Sequence, residues 1–265
     1  MHTVAAIQMI SSPDVADNLA AARRLVGQAA AAGATVVVLP EYWAIMGHSD
    51  SDKVAIAERP GGGPIQDCMA ELARRHKIWL IGGTLPLVAP EAGKVYNTTL
   101  VYDDRGAPVG RYDKIHLFGF SKDGESYDES RTIVPGARAA AVDTPLGRVG
   151  LSVCYDLRFP ELYRAIGECA LIVVPAAFTY TTGRAHWEVL LRARAIENQC
   201  YVLAAAQGGL HPNGRRTWGH SMLIDPWGEV KALLPEGEGV VAGAIEPEQL
   251  AKVRASLPAL RHRTM

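Results

Sequence analysis

The chain has 265 residues, 48% hydrophobic and 21% charged, the composition of a soluble globular protein long enough for a sizeable core. A net charge of −1 excludes a surface field that would draw it onto nucleic acid or an anionic membrane. The longest apolar stretch, CALIVVPAAF (169–178), is about half a membrane span, and MHTVAAIQM lacks a signal peptide's basic and long apolar regions, so the expected location is the cytoplasm.

TVAAIQM (3–9) reads as a strand and DVADNLAAARRLVGQAAAAG as a helix, with Asp14 or Asp17 as N-cap and Gly33 as the stop. ATVVVLP (34–40) is a continuous apolar run that suits a strand covered on both faces. PGGGP (60–64) matches no phosphate-binding or dinucleotide fingerprint and serves to start a helix over roughly 64–76. IWLIGGTLP (78–86) returns as a strand. VYNTTLVYDDRGAPVGRYDK (95–114) and AAAVDTPLGRVGLSVCYD (139–156) read as hairpins, turning at DDRGAP and TPLG.

FPELYRAIGE (159–168) and ALIVVPA (170–176) form the next helix and strand. GRAHWEVLLRARAIENQ (183–199) is a long helix with Trp187, Leu190, Leu191 and Ala195 along one side. CYVLAAAQ (200–207), TWGHSMLIDP (217–226), EVKALLP (229–235) and GVVAGAIEP (239–247) complete the strands, with DPWG as a tight turn. SLPALRHRTM (256–265) has little periodicity and is expected as a tail on the surface or on a partner subunit. No repeat or linker interrupts this alternation, which predicts one α/β domain over 1–265. Two sheets packed face to face, with helices outside, accommodate the mixture of crossovers and hairpins.

Three reactive side chains share an address just past a strand: Glu41 after VVVLP, Lys114 after VGRYD and Cys154 after VGLSV. Sites in α/β proteins gather outside strand ends, where side chains converge on rigid backbone. A carboxylate can take the proton of a thiol that attacks a carbonyl or nitrile carbon, and a lysine favours the thiolate and the developing oxyanion. The backbone N–H of Tyr155 is placed to add an oxyanion contact. Taken singly, Glu41 also reads as a helix cap, Lys114 as a solvated charge and Cys154 as a core hydrophobe.

The segments LPEYW, YDKIHLF and GLSVCYDLRFPELYR, in this order, resemble the three catalytic segments of the nitrilase (carbon–nitrogen hydrolase) superfamily. TGRAHWEVLLRARAIENQCYVLAAAQ and GHSMLIDPWGEV resemble its Nit-type branch, which contains ω-amidases and the amidase acting on deaminated glutathione. The resemblance implies a four-layer α-β-β-α sandwich, extended across subunits in a homodimer or higher homo-oligomer with 256–265 at the interface. It implies Glu41 as general base, Lys114 as stabiliser of the tetrahedral intermediate and Cys154 as nucleophile. Glu129, in YDESRTIVPG, matches a fourth acid that hydrogen-bonds near the lysine.

The activity implied is hydrolysis of the terminal carboxamide of a small carboxylated amide, of the α-keto acid type, through a thioester with release of ammonia. No metal or organic cofactor is required. A nitrile or an N-carbamoyl amino acid would use the same machinery, and an inactive scaffold of the same fold is the alternative from another class.

Arg158 is the first candidate for a substrate carboxylate, with a surface ion pair to Glu161 as the competing reading. Phe178 and Thr179, after another strand end, are expected to line the pocket, and the charged segment FGFSKDGESYDES (118–130) reads as a lid that tunes specificity. Four cysteines without a C-x-x-C pair and eight histidines without H-E-x-x-H suggest no metal site. His186 is expected as a packed histidine, and Glu188 with Arg192 as an i,i+4 pair. A nucleophile elbow with a histidine base would need G-x-C-x-G, which the residues around Cys154 lack.

Overall fold

A computed structural model describes residues 2–122 and 125–264. In chain order the elements are β1 (His2–Gln8), α1 (Val15–Ala31), β2 (Val36–Val38), α2 (Asp52–Ala55), α3 (Pro64–His76), β3 (Trp79–Ile81), β4 (Leu85–Val88), β5 (Val95–Tyr102) and β6 (Pro108–Asp113). There follow β7 (Gly119–Lys122), β8 (Glu125–Asp128), β9 (Ala140–Thr144), β10 (Gly147–Leu151), α4 (Pro160–Ile166), β11 (Leu171–Ala176) and α5 (Tyr180–Asn198). The last are β12 (Tyr201–Ala206), β13 (Gly208–Leu210), β14 (Arg216–Trp218), β15 (Ser221–Ile224), β16 (Val230–Leu234), β17 (Gly239–Ile245) and α6 (Pro247–Ser256). Short 3-10 turns cover Glu129–Arg131 and Cys154–Arg158.

One sheet has the order β17–β1–β2–β3–β5–β4, with β6 added on β5; the other runs β16–β15–β12–β11–β10–β9. Alternation along the strands explains how they stack. Val4, Ala6, Val36 and Val38 join the core with residues of the second sheet, whereas Ala5, Ile7 and Val37 turn the other way onto a second core that includes side chains of α1 and α3. On the far side α4 packs on β10, and α5 on β12 and β15. The layers are therefore helix, sheet, sheet and helix, the α-β-β-α sandwich.

The parallel runs β1–β2–β3 and β10–β11–β12 lie at the centres of their sheets, so their carboxyl ends open on one side of the sandwich. There the bridge between Met9 and Gln207 ties one sheet to the other.

Several elements depart from the expected bounds. The run 78–86 is two strands, broken at Gly82 and Gly83. Gly83 has φ +51°, and a Cβ there would stand 2.0 Å from the Pro40 carbonyl oxygen, so only glycine lets this crossing press against the segment that leads into Glu41. The run 217–226 likewise divides, at Gly219 and His220, both with positive φ. Helix α5 begins at Tyr180 because Thr179 caps it, its hydroxyl accepting from the Thr182 N–H at 3.3 Å.

Helix α6 leaves no periodic signal in the sequence, because only Val253 on it is buried. After α6 the chain is mostly exposed, and its start is tied to the end of α5, where the Gln199 amide donates to the Leu257 carbonyl and its oxygen accepts from the Leu260 N–H. No helix among the described residues is long and apolar enough to cross a membrane.

Candidate active site

Glu41, Lys114, Cys154 and Glu129 meet in one buried cluster at the open ends of the strands. Glu41 stands three residues beyond β2, Lys114 directly after β6, Cys154 three beyond β10, and Glu129 directly after β8. The Lys114 side chain is wholly buried and Glu41 is 1% exposed. The Lys114 ammonium donates to Glu41 Oε1 at 2.8 Å and to Glu129 Oε1 and Oε2 at 3.0 and 2.8 Å. Glu41 Oε1 also accepts from Asn97 Nδ2 at 3.0 Å, and Oε2 from the Ala177 N–H at 2.9 Å. Glu129 is further held by the Tyr42 hydroxyl at 2.7 Å and the Phe118 N–H at 2.7 Å. A buried carboxylate is tolerated only when its lone pairs are filled in this way.

Two residues of the cluster carry left-handed backbone, Tyr42 at φ +55° and Cys154 at φ +50°. Neither is glycine, so each conformation costs on the order of 1 kcal/mol or more and persists because the surroundings enforce it. At Cys154 the sharp turn from β10 into the 3-10 helix brings the thiol into hydrogen-bonding reach of Glu41 and near Lys114. Cys154 thus stands at a sharp strand-to-helix turn without the flanking glycines of a nucleophile elbow, and the groups that bear most on the thiol are Glu41, Lys114 and Glu129.

Burial, then the Glu41 carboxylate, push the Cys154 thiol well above its usual range; Lys114 pulls it back only in part. The thiol is therefore protonated at rest. Burial works against the Lys114 charge, but Glu129 and Glu41 outweigh it and hold the ammonium above its ordinary value. Burial works to raise Glu129, and Lys114 together with the Phe118 N–H and the Tyr42 hydroxyl more than reverses that, keeping it a carboxylate. The cluster at rest is a neutral thiol beside a fixed carboxylate–ammonium–carboxylate row.

Asp156, fully buried two residues past Cys154, joins the loops that carry Lys114 and Cys154. It accepts from the Tyr112 hydroxyl at 2.7 Å, the Val153 N–H at 2.9 Å and the His116 N–H at 3.1 Å, and its Oδ1 lies 2.7 Å from His116 Nδ1. Removing this acceptor strands buried donors on both loops. Asp156→Ala is expected to lower unfolding free energy by about 3–5 kcal/mol, read by urea titration. A loss under about 1 kcal/mol would show that the loops are held independently of it.

Of the expected pocket residues, Tyr155, Phe178 and Thr179 line a small recess on Cys154 together with Phe118 and Thr182. Thr179 thus has a second task, as cap of α5. The expected Arg158–Glu161 pair does not form among the described residues; the Arg158 guanidinium lies over the rings of Tyr155 and Phe178, at 5.6 and 5.4 Å, and 3.3 Å from His186 Nδ1. His186, expected as packed, is exposed, because α5 turns it outward one position before the buried Trp187. Glu188 and Arg192 are paired at 3.7 Å. The segment expected as a lid is a hairpin, β7 with β8, whose tip residues 123 and 124 lie outside the described residues. At its base Phe118 meets Tyr155 edge-on at 5.2 Å.

Asn97, Tyr42, Asp156 and Gln207 also belong to the site, although no sequence pattern singles them out. Gln207 supports the Glu41 carbonyl at 3.1 Å and Ser11 at 2.8 Å. Asn97 and Gln207 are polar residues in or directly after apolar strand runs, YNTTLVY and CYVLAAAQ, and a polar side chain there marks either a strand end or a buried partner.

The carbon–nitrogen hydrolase family model matches residues 3–255. A Synechocystis protein named deaminated glutathione amidase is 42% identical over 99% of this chain and 98% of its own length. The Homo sapiens protein of that name is 40% identical over 98% of this chain and 81% of its own length. The structure of Saccharomyces cerevisiae Nit3, described as a member of branch 10 of the nitrilase superfamily, superposes with a TM-score of 0.88 at 30% identity, covering 100% of this chain and 97% of that one. With its sandwich and its buried Glu–Lys–Cys cluster, the chain belongs to the carbon–nitrogen hydrolase family.

Proposed function

We propose that the protein is a cysteine-dependent amidase acting on a small carboxylated amide, deaminated glutathione or a related α-keto acid ω-amide. The observation that carries this reading is the convergence of the Cys154 thiol with Glu41 and Lys114 in a buried cluster, supported by relatives of 42% and 40% identity with that name. Cys154 Sγ attacks the amide carbon while its proton passes to Glu41. The carbonyl electron pair moves onto oxygen, which Lys114 and the Tyr155 N–H stabilise; a donor of this kind is typically worth ~3 kcal/mol. Tyr155 sits in the first turn of its 3-10 helix, where backbone N–H groups have no partner within the helix. Glu41 returns the proton to nitrogen as the C–N bond breaks, leaving a thioester. Water, deprotonated by Glu41, then splits the C–S bond and re-forms thiol and carboxylic acid.

The amine released depends on the substrate. An unsubstituted ω-amide gives ammonia, as the sequence led us to expect, whereas the scissile nitrogen of deaminated glutathione carries cysteinylglycine and leaves as that dipeptide. The Arg158 guanidinium, ordered over two pocket rings without a carboxylate partner among the described residues, is the group proposed to hold the α-keto acid carboxylate. Release of α-ketoglutarate from deaminated glutathione and from α-ketoglutaramate, assayed against nitriles and N-carbamoyl amino acids, tests the assignment. Hydrolysis of nitriles alone would overturn it. Arg158→Ala is expected to raise KM for both keto acids about tenfold or more with little change in kcat.

The same reading takes the enzyme as a cytoplasmic homo-oligomer in which the exposed segment after α6 meets a second subunit, checked by light scattering.

A further inference from the structure

A cleft of about 380 Å³ opens beside the catalytic cluster, away from the recess on Cys154. Its walls are Tyr42 and the segment Met46–Lys53, the Ser126–Tyr127 edge of the hairpin, and the loop carrying Asn213 and Arg215. That size is in the range of small-ligand pockets. We propose that this cleft is the leaving-group subsite, and that Arg215 holds a carboxylate at the far end of the departing amine. The proposal rests on the amidase reading and assigns the half of the substrate which that reading leaves unplaced.

Position comes first. The leaving nitrogen must receive its proton from Glu41, so the amine departs on the Glu41 side. Glu41 Oε2 accepts from the Ala177 N–H at 2.9 Å, and the carbonyl of the same residue accepts from Arg215 Nη2 at 3.2 Å. One residue thus links the proton donor to the guanidinium. Tyr42, the neighbour of Glu41, forms the shared wall.

Arg215 itself is held but unspent. Its guanidinium lies 5.2 Å from the centre of the Tyr127 ring, and Nη1 rests 3.7 Å from the Met46 sulfur. Its buried Nε has no hydrogen-bond partner, and the guanidinium forms no ion pair with a carboxylate among the described residues. A guanidinium at the wall of a cleft with no carboxylate partner can take one from a ligand through its Nη groups. The other cation of the cleft, Lys53, is already paired with Asp50 at 3.0 Å and lies over the Tyr42 ring. Asn213 Nδ2 is spent on the Met46 and Gly47 carbonyls at 3.1 and 2.7 Å, which ties the two walls together. The recess on Cys154, by contrast, is far narrower and is lined mainly by aromatic and threonine side chains. The ligand class is therefore an amine bearing a carboxylate, an amino acid or short peptide joined through its nitrogen.

The test compares deaminated glutathione with its C-terminal carboxamide, which differs only in the distal charge, in wild type and Arg215→Met. Wild type is expected to prefer the free carboxylate by about 10- to 100-fold in kcat/KM, the value of a charge-assisted hydrogen bond. In Arg215→Met that preference should fall to about one, while turnover of the carboxamide shows that the site is still assembled. Arg215→Lys should recover part of it. Wild type that hydrolyses both forms equally, or a variant that keeps the preference, overturns the subsite and leaves the amidase reading standing. So does wild type that accepts α-ketoglutaramate but not deaminated glutathione. Wild type that hydrolyses neither amide overturns the amidase reading and the subsite together.

Discussion

Replacing Cys154 by alanine should abolish amide turnover and leave the fold in place. The thiol is neutral at rest, so the change removes no charge from the cluster, and the Lys114 bonds to Glu41 and Glu129 remain. The lost sulfur is a single atom at a site 7% exposed, and alanine and serine meet the same strain at φ +50°. Stability measured by urea unfolding should therefore change by about 1 kcal/mol or less. The kcat/KM for the preferred amide should fall by on the order of 10⁴-fold or more, because no other side chain can form the thioester. Cys154→Ser should be nearly as inactive, since a carboxylate base is matched to a thiol and not to the far less acidic hydroxyl. Acid-quenched wild type should carry an acyl adduct on Cys154 that neither variant shows by mass spectrometry. Turnover by the alanine variant above about one part in a thousand would remove Cys154 from the nucleophile's place.

The parts of this site that were legible in the sequence are those that depend on local pattern. Glu41 and Cys154 follow continuous apolar runs, and such runs become central parallel strands whose ends face one opening. The α-β-β-α layering and Glu129's place came through resemblance to a family, not from periodicity. What stayed hidden depends on contacts between distant segments. Asn97 reaches Glu41 across 56 positions, and Asp156 is met by Tyr112 across 44. Arg215 lies in a loop with no regular pattern, and its cleft is built by segments near 46 and 127. The break at Gly83 was missed for a related reason: an apolar run records burial, while the bend answers to the Pro40 carbonyl that arrives from another strand.

Replacing Glu41 by glutamine separates the two tasks given to that carboxylate. Glu41 accepts from three donors, the Lys114 ammonium, Asn97 Nδ2 and the Ala177 N–H, divided between its two oxygens. A glutamine amide offers one acceptor and one donor end, so in either orientation at least one of these N–H groups faces another donor. Neither end can take the thiol proton or return it to the leaving nitrogen. Loss of a general acid–base typically costs 10²–10⁴-fold, and kcat/KM of Glu41→Gln should fall by about the upper end of that range, because both half-reactions use the group.

The effect on the thiol has the opposite sign. The Glu41 charge raises Cys154, since a thiolate beside a carboxylate is disfavoured, and Lys114 lowers it. Neutralising Glu41 removes the first influence and keeps the second, so the thiol becomes more acidic and its thiolate fraction at neutral pH rises. Alkylation of Cys154 by iodoacetamide should then be faster in Glu41→Gln than in wild type at neutral pH, with its rate profile displaced to lower pH, while amide turnover is lost. Near-wild-type turnover would show that another group moves the proton. An undisplaced profile would show that burial, and not the carboxylate charge, keeps Cys154 protonated.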